Sequence, residues 1–229
     1  MIEKPNDQYN LAKPDSLAVR IGGRVRNQMF AAFMRRLDPT PQETILDVGV
    51  TGDRQYSVSN YFEELYPFKA NITAAGVDDA SFLESLYPGM KFVHANALAL
   101  PFDNGAFDLV HSSAVLEHVG SFQNQTKMIA ECLRVARRGI CLTTPNRWFP
   151  VEVHTSLPLI HWLPPSLYRP LFRALGYGFF AAEENLNLMS RRQLHAAVSG
   201  IAGWKFEIVP AKLLGWTSNL MLFAHRDAA

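Results

Sequence analysis

Thr44-Ile45-Leu46-Asp47-Val48-Gly49-Val50-Thr51-Gly52-Asp53 places a buried-strand pattern, an acidic residue and two glycines within a single short stretch. Ile45, Leu46 and Val48 form the apolar run of a strand covered on both faces, while Gly49 and Gly52 allow positive φ and a close ligand approach to the backbone. The pattern predicts a strand running into a ligand-binding turn. A helix over about residues 55 to 66 would aim its N-terminal amides at that turn. Many strand ends of this kind are plain structural turns, so the segments that follow decide the reading.

Residues 71–78 read as a second buried strand ending in the carboxylate of Asp78, and 91–97 as a third ending in the amide of Asn96 and Ala97. Strand 4 is expected at 107–112, a helix near 121–137 and strand 5 at 139–144. The closing strand pair is expected around 206–209 and 220–224. Alternation of strand and helix predicts a doubly wound α/β fold with a mostly parallel sheet. In such a sheet ligands bind outside the carboxyl ends of the strands, which would bring Asp47, Asp78 and Asn96 to one crevice. Strand-end caps and turn formers are the competing role for these three residues. An amphipathic helix is expected over 16–37, its arginines Arg20, Arg24, Arg26, Arg35 and Arg36 interleaved with apolar residues as on a cover helix with solvated charges, an anion-binding role being the alternative.

Asn96-Ala-Leu-Ala-Leu100-Pro101-Phe102, Phe107-Asp108-Leu-Val and Val115-Leu116-Glu117-His118-Val119 follow in order. Through these motifs the stretch from about 43 to 145 resembles the class I S-adenosylmethionine-dependent methyltransferases, of the type 11-like methyltransferase domain. The resemblance implies a Rossmann-like, mostly parallel seven-stranded sheet with helices on both faces, and S-adenosylmethionine as cofactor. It implies that Asp47 and the amides around Gly49, Val50, Thr51 and Gly52 hold the methionine part. Asp78 would pair with the ribose hydroxyls, and Asn96 with the Ala97 amide would read the adenine. Asp79, Leu98 and Ser112 would complete the cofactor wall. Two positions depart from the family pattern: the turn carries Val50-Thr51 and Asp53 where more glycine is common, and Asn96 stands where Asp is usual, keeping an acceptor oxygen and losing a charge.

A dinucleotide-dependent oxidoreductase is the rival enzyme class, but no G-x-G-x-x-G is present and Asp47 before the turn would repel a pyrophosphate. The same carboxylate would attract an ammonium group. A net charge of +1 gives no general attraction to nucleic acid, and the apolar runs fall short of a transmembrane span. The opening Met1–Asp7 lacks the apolar core of a secretory signal, so a cytoplasmic location is expected. Cys132 and Cys141 lack metal-ligand spacing and read as buried reduced thiols, and no metal is expected.

Six of the fourteen prolines and a dense aromatic set fall between Pro145 and Ala181. This segment predicts a rigid insertion after strand 5 that forms a lid or acceptor pocket, completes the core, or docks on a membrane surface or partner. The chain therefore divides into an N-terminal helical cover (1–40), a cofactor-binding half (41–145), a substrate lid (146–190) and a closing helix and strands (191–229), all in one domain. Trp148, Phe149, His154 and Trp162 are the candidate acceptor-binding residues. A base is needed only for a hydroxyl or protonated amine acceptor, and His118 and His154 are the candidates, with His111 near the same edge and a structural role open to each. The expected activity is methyl transfer to a small-molecule or lipid-like acceptor. A catalytically inactive cofactor-binding partner subunit is the alternative.

Overall fold

The computed structural model describes residues 16–55 and 59–226. Met1–Asp7, and with it the reading of the N-terminus, lies outside the described residues, as do residues 56–58 of the helix expected after the glycine turn. The elements run α1 (Leu17–Leu37), β1 (Ile45–Val48), α2 (Tyr61–Leu65), β2 (Ile72–Gly76), α3 (Phe82–Leu86), β3 (Lys91–His94), β4 (Phe107–Ser113), α4 (Phe122–Val135) and β5 (Ala136–Pro145). They continue through α5 (Pro165–Ala174), α6 (Arg191–Val198), β6 (Trp204–Leu213) and β7 (Trp216–Arg226).

The seven strands form one sheet in the order β3-β2-β1-β4-β5-β7-β6. The first five are parallel, and β7 joins β5 antiparallel and pairs with β6 in a hairpin. The doubly wound expectation holds, with the order reversing at β1/β4. Core side chains divide by face as the two-residue period of a strand requires. Leu46 and Val48 pack with α4 and α6, whereas Ile45 packs with α1, α2 and β2 residues. Cys132 and Cys141 are buried free thiols in these two separate layers.

Helix α1 begins where Ser16 accepts from the Val19 amide and ends at Asp38 in the left-handed region, with Arg35 and Arg36 in the last turn, where cations suit the helix dipole. Its buried stripe is Val25, Met29, Ala32, Phe33 and Leu37. The arginines are not uniformly solvated. Arg36 pairs with Glu207 and lies over Phe223, and Arg26 is drawn inward against Tyr61.

Helix α2 is much shorter than the sequence suggests. The Asn60 side chain accepts from the Thr51 amide at 3.0 Å and donates to the Thr51 carbonyl at 2.9 Å. Asp53 meanwhile takes the Gln55 amide and the Ser59 hydroxyl. These side-chain bonds hold residues 51–55 and 59–60 in a non-helical course. The β6–β7 hairpin is longer than expected because Leu214 and Gly215 both take positive φ and close it tightly.

Candidate functional site

The β1 turn is built on Gly49, whose φ is +103° and on which a Cβ would stand 2.1 Å from Val115 Cγ2. The Gly49 and Val50 amides both donate to the Ala75 carbonyl, and those of Thr51 and Asp53 to Asn60 Oδ1 and Thr51 Oγ1. The turn is thus largely satisfied by its own protein partners. Gly52 is buried within it.

Asp47 points into the layer beneath α1 and α2. Its register partner across the β1/β4 ladder is His111, and Asp47 Oδ1 meets His111 Nδ1 in a short contact. The imidazole stacks on Phe62 at 4.0 Å and lies 3.4 Å from the Tyr61 hydroxyl. Burial pushes His111 down to about 3 against the pull of Glu63, so it is neutral at physiological pH. Burial likewise raises the Asp47 carboxyl to about 7. Glu63, fully buried and facing Asp47, is raised well above its ordinary value by the same desolvation and by the Asp47 charge. Two facing carboxyls in one apolar layer cannot both ionise cheaply.

Toward the other side of the crevice, Gly76 of β2 pairs with His94 of β3. Asp78 and Asn96 each follow that pair by two residues, so both lie just past the carboxyl ends of adjacent strands. Asp79 is a turn former: it is exposed, and its Oδ1 accepts from the Ser81 amide at 3.0 Å. Asn96 Oδ1 accepts from the Leu98 amide at 2.8 Å, next to the buried Ala97. Ser112 is buried and donates to the Val48 carbonyl, tying β4 to β1. An acid for a diol beside an amide edge, next to a glycine turn, fits the nucleoside end of a donor.

A second polar group forms where the loop after β4 meets the insertion. Glu117 and His118 arrive from the former and Glu152 and His154 from the latter. Thr144, at the end of β5, donates to Glu117 Oε2 at 2.9 Å. His118 Nδ1 bonds the Asn185 carbonyl at 2.7 Å, and His154 Nδ1 bonds Glu152 Oε1 at 2.7 Å. Glu152 also accepts from the His154 amide and from the amide and hydroxyl of Thr155. Burial alone would raise the Glu152 carboxyl, but His154 and these donors bring it down to about 2. The Glu152 charge in turn outweighs the burial of His154 and raises that imidazole above its ordinary value. Burial and the neighbouring His154 hold His118 at about 3, and burial lifts Glu117 to about 7.

The insertion has a small core of its own, formed by Tyr168, Phe172, Phe180, Ala181, Leu186 and Leu188. Trp148, half exposed, lies edge-on to Trp162 at 6.2 Å. The Phe149 carbonyl faces His161 Nε2 at 2.9 Å and accepts from Trp162 Nε1 at 3.3 Å. His118 and His154 meet ring to ring at 4.8 Å, whereas His111 belongs to the Asp47 layer. Glu63, Arg26, Glu117 and Thr144 escape a reading of the sequence as site residues. Only the Glu-x-His spacing of 152 and 154 hints at the pair they form.

The family described as a methyltransferase domain matches residues 46–142. No curated protein matches the chain. Among solved structures, the chain is similar to the CurJ carbon methyltransferase at 12% identity and a TM-score of 0.59, covering 93% of this chain and only 56% of that one. It is similar to magnesium protoporphyrin IX methyltransferase from Synechocystis PCC 6803, solved with bound SAH, at 16% identity and a TM-score of 0.56, covering 96% and 91%. The [4+2]-cyclase SpnF is a further likeness, at 12% identity and a TM-score of 0.58, covering 93% and 94%. Identities this low establish the shared fold. The methyltransferase-domain family matches the stretch that runs from the glycine turn through the strands followed by Asp78 and Asn96, and this part of the chain is similar to S-adenosylmethionine-dependent methyltransferases.

Proposed function

We propose that the protein transfers a methyl group from S-adenosylmethionine to a small-molecule or lipid-like acceptor held beneath the 146–190 insertion. The observation that carries this reading is the Glu117–His118–His154 group, assembled from the loop after β4 and from the insertion, beside the sheet edge expected to hold the donor. Bound there, the donor supplies a methyl group already activated by a positively charged sulfur. The chain's own residues then have mainly to position the acceptor. His154, oriented by Glu152, and His118, oriented by the Asn185 carbonyl, present imidazole nitrogens to take a proton from a hydroxyl or ammonium acceptor.

A lipid-like acceptor is supported by the outer face of the insertion, where Leu163, Leu167, Leu171 and Leu175 recur every fourth residue and are all exposed, as is Trp148, edge-on to Trp162. No helix among the described residues is long and apolar enough to cross a membrane, so contact with a lipid phase through this face would be peripheral. A second reading, donor binding without methyl transfer, is favoured by the likeness to a cyclase and corresponds to an inactive or repurposed cofactor-binding subunit.

Thermal unfolding with S-adenosylmethionine, S-adenosylhomocysteine and NAD tests the donor. A ligand at a hundred times its dissociation constant stabilises by about 2.7 kcal/mol. Incubation of labelled donor with a metabolite and lipid extract tests transfer. Stabilisation by the first two compounds with label appearing in an extract component supports the reading. Donor binding without labelled product favours the second reading, and stabilisation by NAD alone would overturn both.

A further inference from the structure

We propose that Glu117, His118 and His154 form a binding site for a divalent transition-metal ion of the zinc class. One carboxylate oxygen and one nitrogen from each imidazole all lie within 4.8 Å of one another, and His118 Nε2 is 3.9 Å from Glu117 Oε1. Ligand atoms on a tetrahedral ion at about 2.0–2.1 Å stand roughly 3.3 Å apart. A small inward movement of the two rings would therefore close the site.

The surroundings are those a metal site requires. Each imidazole has its Nδ1 taken by an acceptor, the Asn185 carbonyl for His118 and the Glu152 carboxylate for His154. That assigns the Nδ1 protons and leaves the lone pair of each neutral imidazole on Nε2, the atom through which His118 faces Glu117 Oε1. Carboxylate–histidine and carbonyl–histidine contacts of this kind orient metal ligands and raise their basicity. The Glu117 carboxylate is fully buried: Oε2 is fixed by Thr144, and Oε1, aimed at the imidazoles, has no hydrogen-bond partner among the described residues. A buried carboxylate oxygen left so costs stability unless a cation or donor meets it.

Charge points the same way. Two carboxylates, Glu117 and Glu152, favour positive charge on His154, with Arg26 of α1 the one arginine coupled to the group, and an ion bound there would take the place of the proton they hold on that imidazole. The His118 and His154 side chains keep 16% and 10% of their surface exposed, which leaves the ion a route from solvent. Two imidazoles and a carboxylate suit zinc, cobalt(II) and related ions, and three protein ligands leave a position open. Ion binding itself rests on this geometry alone. Its use, polarising an acceptor oxygen in place of a free imidazole, rests on the proposed methyl transfer.

The test uses chelator-stripped full-length protein with neither donor nor acceptor. Zinc titration against a competing chelator is expected to show one high-affinity equivalent and to raise the unfolding temperature. Cobalt(II) is expected to give visible absorption bands of nitrogen–oxygen coordination. Glu117→Gln, which preserves the shape and the Thr144 contact, and His154→Ala should each weaken zinc at least tenfold, with circular dichroism reporting the fold. Absence of a saturable equivalent and of a cobalt spectrum in the wild type overturns the site whatever the variants do. Equal affinity in folded variants would place the ion on other histidines and overturn it too. Neither result affects donor binding, and a failure to bind donor leaves the ion titration unchanged, so the two proposals fail separately.

Discussion

A Cβ on Gly49 would stand 2.1 Å from Val115 Cγ2, so the end of β1 and the loop after β4 interlock at a point where only a hydrogen fits. Val115 directly precedes the turn that delivers Glu117 and His118. The glycine turn after β1 and the loop that carries Glu117 and His118 are therefore braced against each other.

Gly49→Ala should destabilise the fold by about 2–4 kcal/mol, combining strain at a positive φ with overpacking. In a Val115→Ala background the overpacking part should be relieved and the strain remain. Urea unfolding of the two singles and the double gives the coupling. Strict additivity would mean that the contact carries no energy.

Asp78→Ala should weaken S-adenosylmethionine by about 1.5–3 kcal/mol, the cost of a hydrogen bond to a charged group, with little loss of folding stability. Calorimetric titration decides the matter. Unchanged donor affinity would remove Asp78 from the ribose site.

Glu63 supplies a pH prediction with a definite sign. Burial and the Asp47 charge raise its folded-state value, so the folded protein keeps a proton that the unfolded chain releases above about 4.5. This contribution to stability is complete below that pH and is lost as pH rises toward the folded value, with a limiting slope of about 1.4 kcal/mol per pH unit for one proton. Glu63→Gln stays neutral throughout. Relative to the wild type it should gain stability between pH 5 and 8, read as the difference in unfolding free energy in the absence of donor. Parallel curves for the two proteins would show that Glu63 is ionised in the fold.

Glu152 holds four donors, the His154 amide and Nδ1 and the Thr155 amide and hydroxyl. Breaking such a buried pair by removing one charge costs about 3–5 kcal/mol, so Glu152→Ala should be strongly destabilising by chemical unfolding. A loss under about 1 kcal/mol would mean that the loop tolerates solvent there.

Trp148→Ala, at a half-exposed position, should leave stability and donor affinity nearly unchanged while lowering transfer once an acceptor is in hand. Proportional loss of donor binding would make Trp148 a cofactor wall.

The apolar runs at 45–48, 72–76 and 107–113, each followed by turn residues, carried the parallel sheet and its carboxyl-edge crevice in the sequence itself, because strand burial and turn chemistry are local properties. That Asp78 and Asn96 follow strand ends was legible for the same reason. What Asp47 touches was not. Its partner His111 comes from a register match between β1 and β4, and Glu63 and Arg26 face the interior only because α2 and α1 pack where they do. The shortening of α2 also escaped local pattern, since the Asn60–Thr51 clamp is a side-chain choice made across a loop. Most of all, Glu117 and His118 are separated from His154 by the whole of α4 and β5. Their convergence, with Thr144 and Asn185 fixing the rings and the carboxylate, depends on how the insertion folds back over the sheet edge. Periodicity encodes which face of an element is buried, and only tertiary packing decides which distant side chains that burial brings together.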